Sequence, residues 1–368
     1  MESRRAYLTL SLIGVFSPET AHRLIAAAGS AAALLKAPLS FFSSFPGLRK
    51  STIHSFMNKR ERIHIEREVR TLQKKKIGWV TFADPAYPSP LRHIHSPPLV
   101  IYIKGRPLNI DSRFLAVVGT RKCSFYGRRA AEEIIGGLPG SFTVVSGLAA
   151  GIDGWAHKVA LERGLFTIAV LGTGVDVIYP AVNRRIYFDI ADKGALISEF
   201  PPGTRPQKHH FPLRNRIISG LSRGVLVVES SLKSGSLITA SFALEQGKDL
   251  FAVPGSLFKK SCQGTNALIK EGAFPVTESG DILHLWGISP EEKEQKDRLC
   301  LSLTQEEKCV INQLSPEEPR NMEEISEALN GELSLGRLSA ALLGLKVKGA
   351  VAELAGRRFV LTKEGKEG

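Results

Sequence analysis

The sequence lacks an apolar run long enough to span a membrane. Hydrophobic residues make up 43% of its 368 residues, but no run approaches the roughly 20 consecutive apolar residues that cross a bilayer. The basic and apolar start, MESRRAYLTLSLIGVF, is interrupted by Thr9 and Ser11, and no small-x-small cleavage site follows it. We therefore expect neither a signal peptide nor a membrane partner.

Cysteine is also scarce. The chain has four cysteines, which are far apart and show no CxxC spacing: Cys123, Cys262, Cys300 and Cys309. Zinc sites and disulfide frameworks of small domains have closely spaced cysteines, often with histidine. His93 and His95 are spaced for one face of a strand, but no third ligand is near them in sequence. We predict no metal site, no disulfide framework and a reducing, cytoplasmic location.

Two nucleotide-binding signatures are missing as well. The chain contains no Walker A sequence and no GxGxxG motif with an acidic residue about 20 positions later. The sequence therefore supports neither ATP hydrolysis nor NAD chemistry, and we predict no cofactor.

No residue pattern indicates catalysis. A catalytic site would need an activated nucleophile with its base, or a pair of carboxylates. We interpret Asp153 as the N-cap of a helix and His157, one turn further on, as a residue that braces the adjacent loop. The other acidic candidates are Asp176, Glu199, Glu229 and Glu245. The sequence therefore indicates phosphate binding without catalysis, and we assign no catalytic residues.

Basic side chains exceed acidic ones. The net charge is +13 and the sequence pI is about 9.6, which favours a polyanionic partner such as nucleic acid. The excess is uneven: residues 1–104 have 16 basic and 6 acidic side chains, residues 105–287 have 21 and 15, and residues 288–368 have 12 and 15. We therefore do not expect the C-terminal segment to attract DNA through its overall charge.

The N-terminal segment, residues 1–78, has the pattern of a small helical domain. Ser17 followed by Pro18 predicts a helix start, and Gly29 predicts its end. Pro46 and Gly47 separate two apolar helical stretches, which is typical both of a helix-hairpin-helix unit that contacts phosphate and of a plain helical hairpin. Residues 79–105 turn β-like and proline-rich, and we interpret them as the seam to the second domain.

Residues 79–287 have the pattern of a Rossmann-like domain. Strand-like apolar runs alternate with glycine-rich turns and helices: FLAVVGT, FTVVSGLAAGID, FTIAVLGTG, ALISEF, VLVVES, DLFAVPG and AFPV. Continuous apolar strands alternating with helices predict a parallel α/β sheet that is covered on both faces. Ligands bind such sheets beyond the carboxyl ends of the strands, so the polar loops should share one edge. The loop residues that we expect at the site are Gly119, Gly147, Gly151, Ser234, Gly235 and Ser236.

The stretch 211–240 carries the clearest anion-binding pattern. Arg214, Asn215 and Arg216 are predicted at the start of a helix, where backbone amides point outward. After a predicted strand at 225–229, the short loop 230–236 leads into a second helix and so also gathers amides at a helix N-terminus. Together these loops predict a phosphate site, whereas a single one would be better explained as a plain strand-to-helix turn with exposed arginines.

A charged linker, residues 288–302, precedes a small C-terminal domain at 303–363. Three predicted helices and a hairpin turning at Gly356 are typical of a winged helix. Because this domain has 8 basic and 9 acidic side chains, both DNA contact and protein contact remain open for it.

The chain resembles the DprA/Smf family of bacterial DNA-processing proteins. Six ordered motifs carry the resemblance: VVGTRKCSFYG, VSGLAAGIDGWAH, VLGTGVDVIYPAVNR, FPLRNRIISGLS, SGSLITASFALEQGK and FAVPGS. The resemblance implies a sterile-α-motif-like domain, an extended Rossmann domain and a winged helix. It also implies a homodimer without enzymatic activity that binds incoming single-stranded DNA and delivers it to the RecA recombinase in natural transformation.

The resemblance also implies which side chains bind DNA. The arginine of the family's GTR turn corresponds to Arg121, with Lys122 beside it. The family's further basic positions correspond to Lys208, Arg214 and Arg216. Some members have a lysine after the Tyr-Pro pair where this chain has Ala181, which leaves Arg184 and Arg185 as the nearest substitutes.

A second function remains open at this point. The segment SGSLITASFALEQG is similar to a loop-helix signature of nucleoside-monophosphate phosphoribohydrolases, which are built on a related sheet. The chain lacks their Pro-Gly-Gly-x-Gly-Thr turn. A nucleotide-processing enzyme is therefore the alternative to a DNA-binding recombination mediator.

Overall fold

The computed structural model describes residues 2–108, 113–288, 304–315, 319–329, 331, 333–348, 350–354 and 356–361. The chain forms two compact units, Met1–Ile282 and Leu283–Gly368. The predicted linker, residues 288–302, lies outside the described residues except for Ile288. The domain boundary at residue 78 falls inside the first unit and stays a prediction.

The first unit begins with a cluster of short helices. They are α1 (Glu2–Ile13), α2 (Pro18–Ala28), α3 (Ala31–Lys36), α4 (Leu39–Ser43), α5 (Lys50–Arg62) and α6 (Ile65–Lys74). As predicted, the Ser17 hydroxyl caps α2 by accepting from the Thr20 amide at 3.2 Å, and Gly29 ends it with a φ of 83°. Phe42 and Phe56 are fully buried in the core that these helices share, so the cluster buries apolar side chains in spite of its short helices.

A nine-stranded sheet follows. Its elements are β1 (Gly78–Thr81), α7 (Ser89–Arg92), β2 (Val100–Gly105), β3 (Arg113–Val118), α8 (Phe125–Gly136), β4 (Phe142–Ser146), α9 (Ile152–Glu162), β5 (Phe166–Val170), α10 (Arg184–Lys193), β6 (Ala195–Ser198), α11 (His210–Leu221), β7 (Gly224–Val227), α12 (Ser236–Glu245), β8 (Asp249–Ala252), α13 (Gln263–Lys270), β9 (Phe274–Pro275) and α14 (Ser279–Leu285). The order is β1-β2-β6-β5-β4-β3-β7-β8-β9. All seven strands predicted between residues 114 and 275 are present.

Strands β3 to β9 run parallel, whereas β1 and β2 join one edge in antiparallel pairs. The seam predicted at 79–105 therefore contributes strands to the large sheet. Helical side chains such as Ile217 and Ala240 pack against one set of strand residues, while Tyr187 and Ile190 pack against Ala169 and Leu196 in another cluster. Because helices cover both faces of the sheet, every side chain of a central parallel strand is buried, and the strands are therefore long apolar runs.

The second unit has its own apolar core. Its described elements are α15 (Gln305–Ile311), β10 (Arg320–Asn321), α16 (Met322–Ala328), α17 (Leu335–Val347), β11 (Val351–Leu354) and β12 (Arg358–Leu361). Thr304 and Asn321 each begin a helix with a reciprocal capping box, in which two backbone amides are satisfied at once. Strand β12 lies between β10 and β11, and the hairpin turns at Gly356 with a φ of 86°. Strand β10 was not predicted from the sequence.

Within the described ranges, no helix is both long and apolar enough to cross a bilayer. The same residues contain no cluster of three His, Cys, Asp or Glu side chains that could hold a metal ion.

Candidate nucleic-acid interface

The polar loops meet at one edge of the sheet, as predicted. Strand β3 pairs in parallel with β4 and with β7, so the loops after these strands leave the sheet on the same side. Together with α11 and the start of α12 they enclose an open cavity of about 370 Å³, which we call the loop pocket. Its lining residues are Val118, Gly119, Thr120, Arg121, Ala149, Asp153, Lys208, Phe211, Pro212, Arg214, Asn215, Ile218, Ser231, Ser234, Gly235, Ser236, Ile238 and Thr239.

The loop after β3 supplies the exposed arginine of the loop pocket. The Thr120 amide donates to the Glu229 carbonyl at 2.7 Å, which fastens this loop to the segment just after β7. Arg121 lines the pocket, is exposed, and has its Cζ 5.8 Å from the centre of the Phe211 ring. Lys122 is exposed beside it but does not line the pocket. Arg121 therefore presents a positive charge at the mouth of the cavity.

Three of the four predicted glycines allow the loops to pack closely around the loop pocket. A Cβ at Gly119 would lie 2.7 Å from Cγ1 of Ile152, and a Cβ at Gly147 would lie 2.5 Å from Nη2 of Arg214. Gly151 precedes α9 with a φ of 87° and a ψ of −134°, a region that side chains strongly disfavour. A Cβ there would also overlap the Thr120 carbonyl oxygen.

We expect Gly151→Ala to lower the free energy of unfolding by about 2–4 kcal/mol, because backbone strain adds to overpacking against Thr120. Gly235→Ala is the matched control in the same pocket: Gly235 has a φ of −63°, and no heavy atom lies within 4 Å of the place that an added methyl group would take. It should cost less than about 1 kcal/mol. Denaturant titration of both variants measures the difference, and equal stability would contradict the close-approach role of Gly151.

Arg214 lies in a different place from the one predicted. Helix α11 begins at His210, so Arg214 is in its second turn and not at its N-terminus. The guanidinium is buried under the loop pocket, where Nη1 donates to the carbonyls of Gly147, at 2.6 Å, and Val170. Burial lowers the pKa of Arg214 to about 10, with Asp153 acting in the opposite direction. Arg214 therefore stays charged at neutral pH and supplies a fixed positive charge at the base of the pocket.

Asp153 and His157 also differ from their predicted roles. The residue at the N-cap of α9 is Gly151, and Asp153 lies in the first turn, where its carboxylate accepts from the Gly147 amide at 3.2 Å. Burial raises the pKa of Asp153, and the charge of Arg214 opposes this rise. His157 is fully buried and bonds Thr167 on β5, with Nδ1 2.7 Å from Oγ1, so it braces a strand and not the loop. Burial lowers the pKa of His157 to about 3, which keeps the imidazole neutral.

Arg216 is not brought to the loop pocket. Its guanidinium forms a two-pronged ion pair with Glu199, at 2.6 Å for both N–O distances, and both side chains are nearly buried. The sequence predicts Arg214 and Arg216 at one anion site, but the structure does not bring them together there, because Arg216 is paired with Glu199 inside the fold. Arg184 also lies outside the pocket, exposed on α10 with its Cζ 5.3 Å from the Phe188 ring centre.

The serine loop after β7 forms the opposite wall. Ser234, Gly235 and Ser236 all line the loop pocket, and the hydroxyls of Ser234, Ser236 and Ser230 form a chain with O–O distances of 2.8 and 3.0 Å. Asn215 reaches this loop by donating to the Gly235 carbonyl at 3.4 Å. Lys208 is exposed and lines the pocket from the segment before α11. The serine loop, Asn215 and Lys208 together therefore offer hydroxyls, an amide and an ammonium group, which suit a phosphate oxygen.

Sequence reasoning missed Phe211. Its ring lines both the loop pocket and an adjoining cavity of about 110 Å³. Phe211, Arg214, Asn215 and Ile218 all line the loop pocket, and their spacing of three, four and seven residues marks one face of a helix. This helical spacing is the sequence signal that could have placed Phe211 in the site. The site as a whole offers basic and hydroxyl groups for binding an anion, and its one lining carboxylate among the described residues, Asp153, is held by backbone amides.

Comparisons with known proteins identify relatives over most of the chain. Residues 78–287 match the family described as DNA recombination-mediator protein A. Protein Smf of Synechocystis is 36% identical over 347 residues, which cover 85% of this chain and 87% of that protein. DNA processing protein DprA of Streptococcus pneumoniae is 46% identical over 209 residues, which cover 57% of this chain and 74% of that protein.

Two solved structures are similar as well. The X-ray structure of DprA from Streptococcus pneumoniae has a TM-score of 0.67 and 37% identity, and covers 76% of this chain and 97% of that one. A structure of DNA processing protein A from Helicobacter pylori, described for its single-stranded DNA binding mode, has a TM-score of 0.52 and 29% identity, with 56% and 95% covered. The chain therefore belongs to the DprA/Smf family of DNA recombination-mediator proteins.

Proposed function

We propose that this protein binds single-stranded DNA through the loop pocket and acts as a recombination mediator without enzymatic activity. The observation that carries this proposal is the convergence of Arg121, Lys208 and the buried Arg214 on one cavity at the carboxyl edge of the sheet. Phosphate groups bind where such charges meet backbone and hydroxyl donors. The single-stranded DNA binding described for the Helicobacter pylori relative supports this assignment.

The chemistry of the loop pocket favours the DNA backbone over base edges. Its donors are guanidinium, ammonium, hydroxyl and amide groups, and contacts of this kind to phosphate and sugar carry no sequence information. We therefore propose binding with little base specificity. The predicted ligands Gly119, Gly147 and Gly151 contribute by bringing the loops close together, and Lys122 contributes charge from outside the cavity.

Several finer assignments are part of the same proposal. We assign residues 1–78 to a sterile-α-motif-like domain, residues 79–287 to an extended Rossmann domain and residues 303–363 to a winged helix, and we place the protein in the cytoplasm. We also propose that it works as a homodimer that loads RecA onto incoming DNA during natural transformation. The family's description as a recombination mediator supports this role. Light scattering for the dimer and a pull-down with purified RecA test these two points, and a monomer or an empty pull-down would refute them.

The central test is a titration of the full chain with single-stranded and double-stranded DNA of equal length. We expect tighter binding of the single strand and a steep loss of affinity with salt. The slope of log affinity against log salt should be about −0.7 per phosphate neutralised, because counterions are released on binding. Binding that is insensitive to salt, or tighter for the duplex, would contradict the proposal.

The alternative is a nucleotide-processing enzyme. Incubation of the pure protein with each nucleoside monophosphate, followed by chromatography for free base, tests it directly. Release of base that is lost in an Asp153→Asn variant would favour the enzyme, because Asp153 is the carboxylate that lines the loop pocket among the described residues.

A further inference from the structure

Two phenylalanine rings are exposed on segments that follow neighbouring strands of the sheet. Phe125, the first residue of α8, is 80% exposed, and Phe258, in the segment after β8, is 96% exposed. Phe258 is the most exposed of the large apolar side chains that the structure describes. Isolated apolar side chains on a surface are common. Here, however, two aromatic rings lie on segments that are joined to each other.

The segments that carry the rings are fastened together. The hydroxyl of Tyr126 donates to the Pro254 carbonyl at 2.6 Å, which links the start of α8 to the segment after β8. The backbone of Gly255 exchanges two hydrogen bonds with the Asn266 side chain, at 3.1 and 3.0 Å. A turn then presents Phe258 to solvent, with its amide 3.3 Å from Oγ of Ser256. Hydrogen bonds thus hold the backbone of both segments in place, so the points from which the two side chains project are fixed.

The surroundings of the rings are basic. Residues 119–131 and 253–262 together contain six Lys and Arg and no Asp or Glu. Lys259 and Lys260 directly follow Phe258, and both are exposed. Arg128 and Arg129 follow Phe125, although Arg129 is paired with Glu132 at 3.0 Å. Aromatic rings among basic side chains are typical of surfaces on which single-stranded DNA stacks its bases.

The segments that carry the rings leave the sheet at the same edge as the loop pocket. Strands β3, β7 and β8 are neighbours in the sheet, so the segments that follow them leave from the same edge. The loop that begins with Arg121 at the pocket reaches Phe125 four residues later. On the other side, the Gly264 amide donates to the Ser230 carbonyl at 2.7 Å, which ties the serine loop of the pocket to the start of α13. The loop pocket and the segments that carry the rings therefore share one edge of the sheet.

We propose that Phe125 and Phe258 form a second contact surface, on which bases of the bound single strand stack after its backbone has passed the loop pocket. This inference rests on the proposed function and extends it from phosphate binding to base stacking. It assigns the exposed rings to nucleic acid, and not to a second copy of the chain or to a lipid surface.

The test compares two oligonucleotides of about 20 nucleotides. One is an oligothymidine. The other, the abasic form, has the same length and keeps only a short central run of thymidines, with abasic sites on both sides of it. The wild-type protein should bind the full oligothymidine more tightly. The double variant Phe125→Ala/Phe258→Ala should lose about tenfold in affinity for the oligothymidine and keep its affinity for the abasic form, because stacking needs both a ring and a base.

Leu257→Ala is the matched control, since Leu257 is 76% exposed next to Phe258 but carries no ring. It should bind both oligonucleotides as the wild type does, and Phe258→Trp should retain the preference for thymidines. Equal wild-type affinity for the two oligonucleotides would overturn the inference while leaving the proposed function intact. The inference would also be overturned if the double variant lost affinity equally for both oligonucleotides. A changed mass in light scattering would instead assign the rings to a second copy of the chain, and lost binding to anionic vesicles would assign them to a lipid surface. Failure of the wild type to bind either oligonucleotide would instead refute the proposed function.

Discussion

Replacing Arg121 by glutamate is expected to weaken the binding of single-stranded DNA by about 100-fold or more. Arg121 is exposed and lines the mouth of the loop pocket, where it can form charge-assisted hydrogen bonds with phosphate oxygens. One such bond contributes about 1.5–3 kcal/mol, and a carboxylate at the same place also repels the phosphate. A loss of about 3 kcal/mol corresponds to roughly 100-fold in affinity.

The matched control for Arg121→Glu is Lys193→Glu, which makes the same change in net charge. Lys193 is an exposed residue at the end of α10, outside the residues that line the loop pocket. It should lose much less affinity, and both variants should keep the circular dichroism spectrum of the wild type. Equal losses in the two variants would mean that DNA responds to the overall charge and would remove Arg121 from the site.

Replacing Arg216 by alanine is expected to destabilise the fold by about 3–5 kcal/mol. The side chains of Arg216 and Glu199 are only 8% and 10% exposed and lie 2.6 Å apart. Removing one partner of a buried ion pair leaves the other charge without compensation, which carries a cost of this size. Thermal or denaturant unfolding measures it directly. Arg216→Ala should thus change the free energy of unfolding, whereas Arg121→Glu should change the affinity for DNA.

A double variant separates the charge effect from simple loss of packing. Arg216→Leu together with Glu199→Leu removes both charges and should be more stable than Arg216→Leu alone, since apolar replacement of a whole buried pair is often nearly neutral. If Arg216→Ala unfolds like the wild type but fails to bind DNA, the ion pair is not structural and the sequence-based assignment of Arg216 to the site was right.

The architecture of the first unit was predictable because burial determines the composition of the strands. Runs such as those of β3, β5 and β7 are apolar at nearly every position, and parallel strands covered on both faces need this composition. The clustering of the polar loops then followed from topology alone. The edge strands β1 and β2 lie in the β-like, proline-rich segment that we interpret as a seam, and their antiparallel place in the large sheet is not predictable from that pattern.

The roles of the two arginines of α11 were not predictable without the start of that helix. Successive residues of an α-helix are about 100° apart, so Arg214 and Arg216 lie about 200° apart and face different surroundings. A helix that began at Arg214 would leave both guanidiniums free to bind an anion. With the observed start at His210, the same sequence sends one guanidinium under the loop pocket and the other to Glu199, a partner that is distant in sequence.

The burial of Arg214 affects how strongly the DNA affinity of the loop pocket depends on salt. Long basic side chains on a surface lose up to about 2 kcal/mol of rotational freedom when a ligand fixes them, and dissolved salt screens their charge. The Arg214 guanidinium is already immobilised by the carbonyls of Gly147 and Val170. Its attraction for a phosphate is therefore not reduced by an ordering cost and is shielded from counterions. The share of affinity that survives at high ionic strength should accordingly come from this internal charge, while the exposed Arg121 and Lys208 govern how fast DNA arrives.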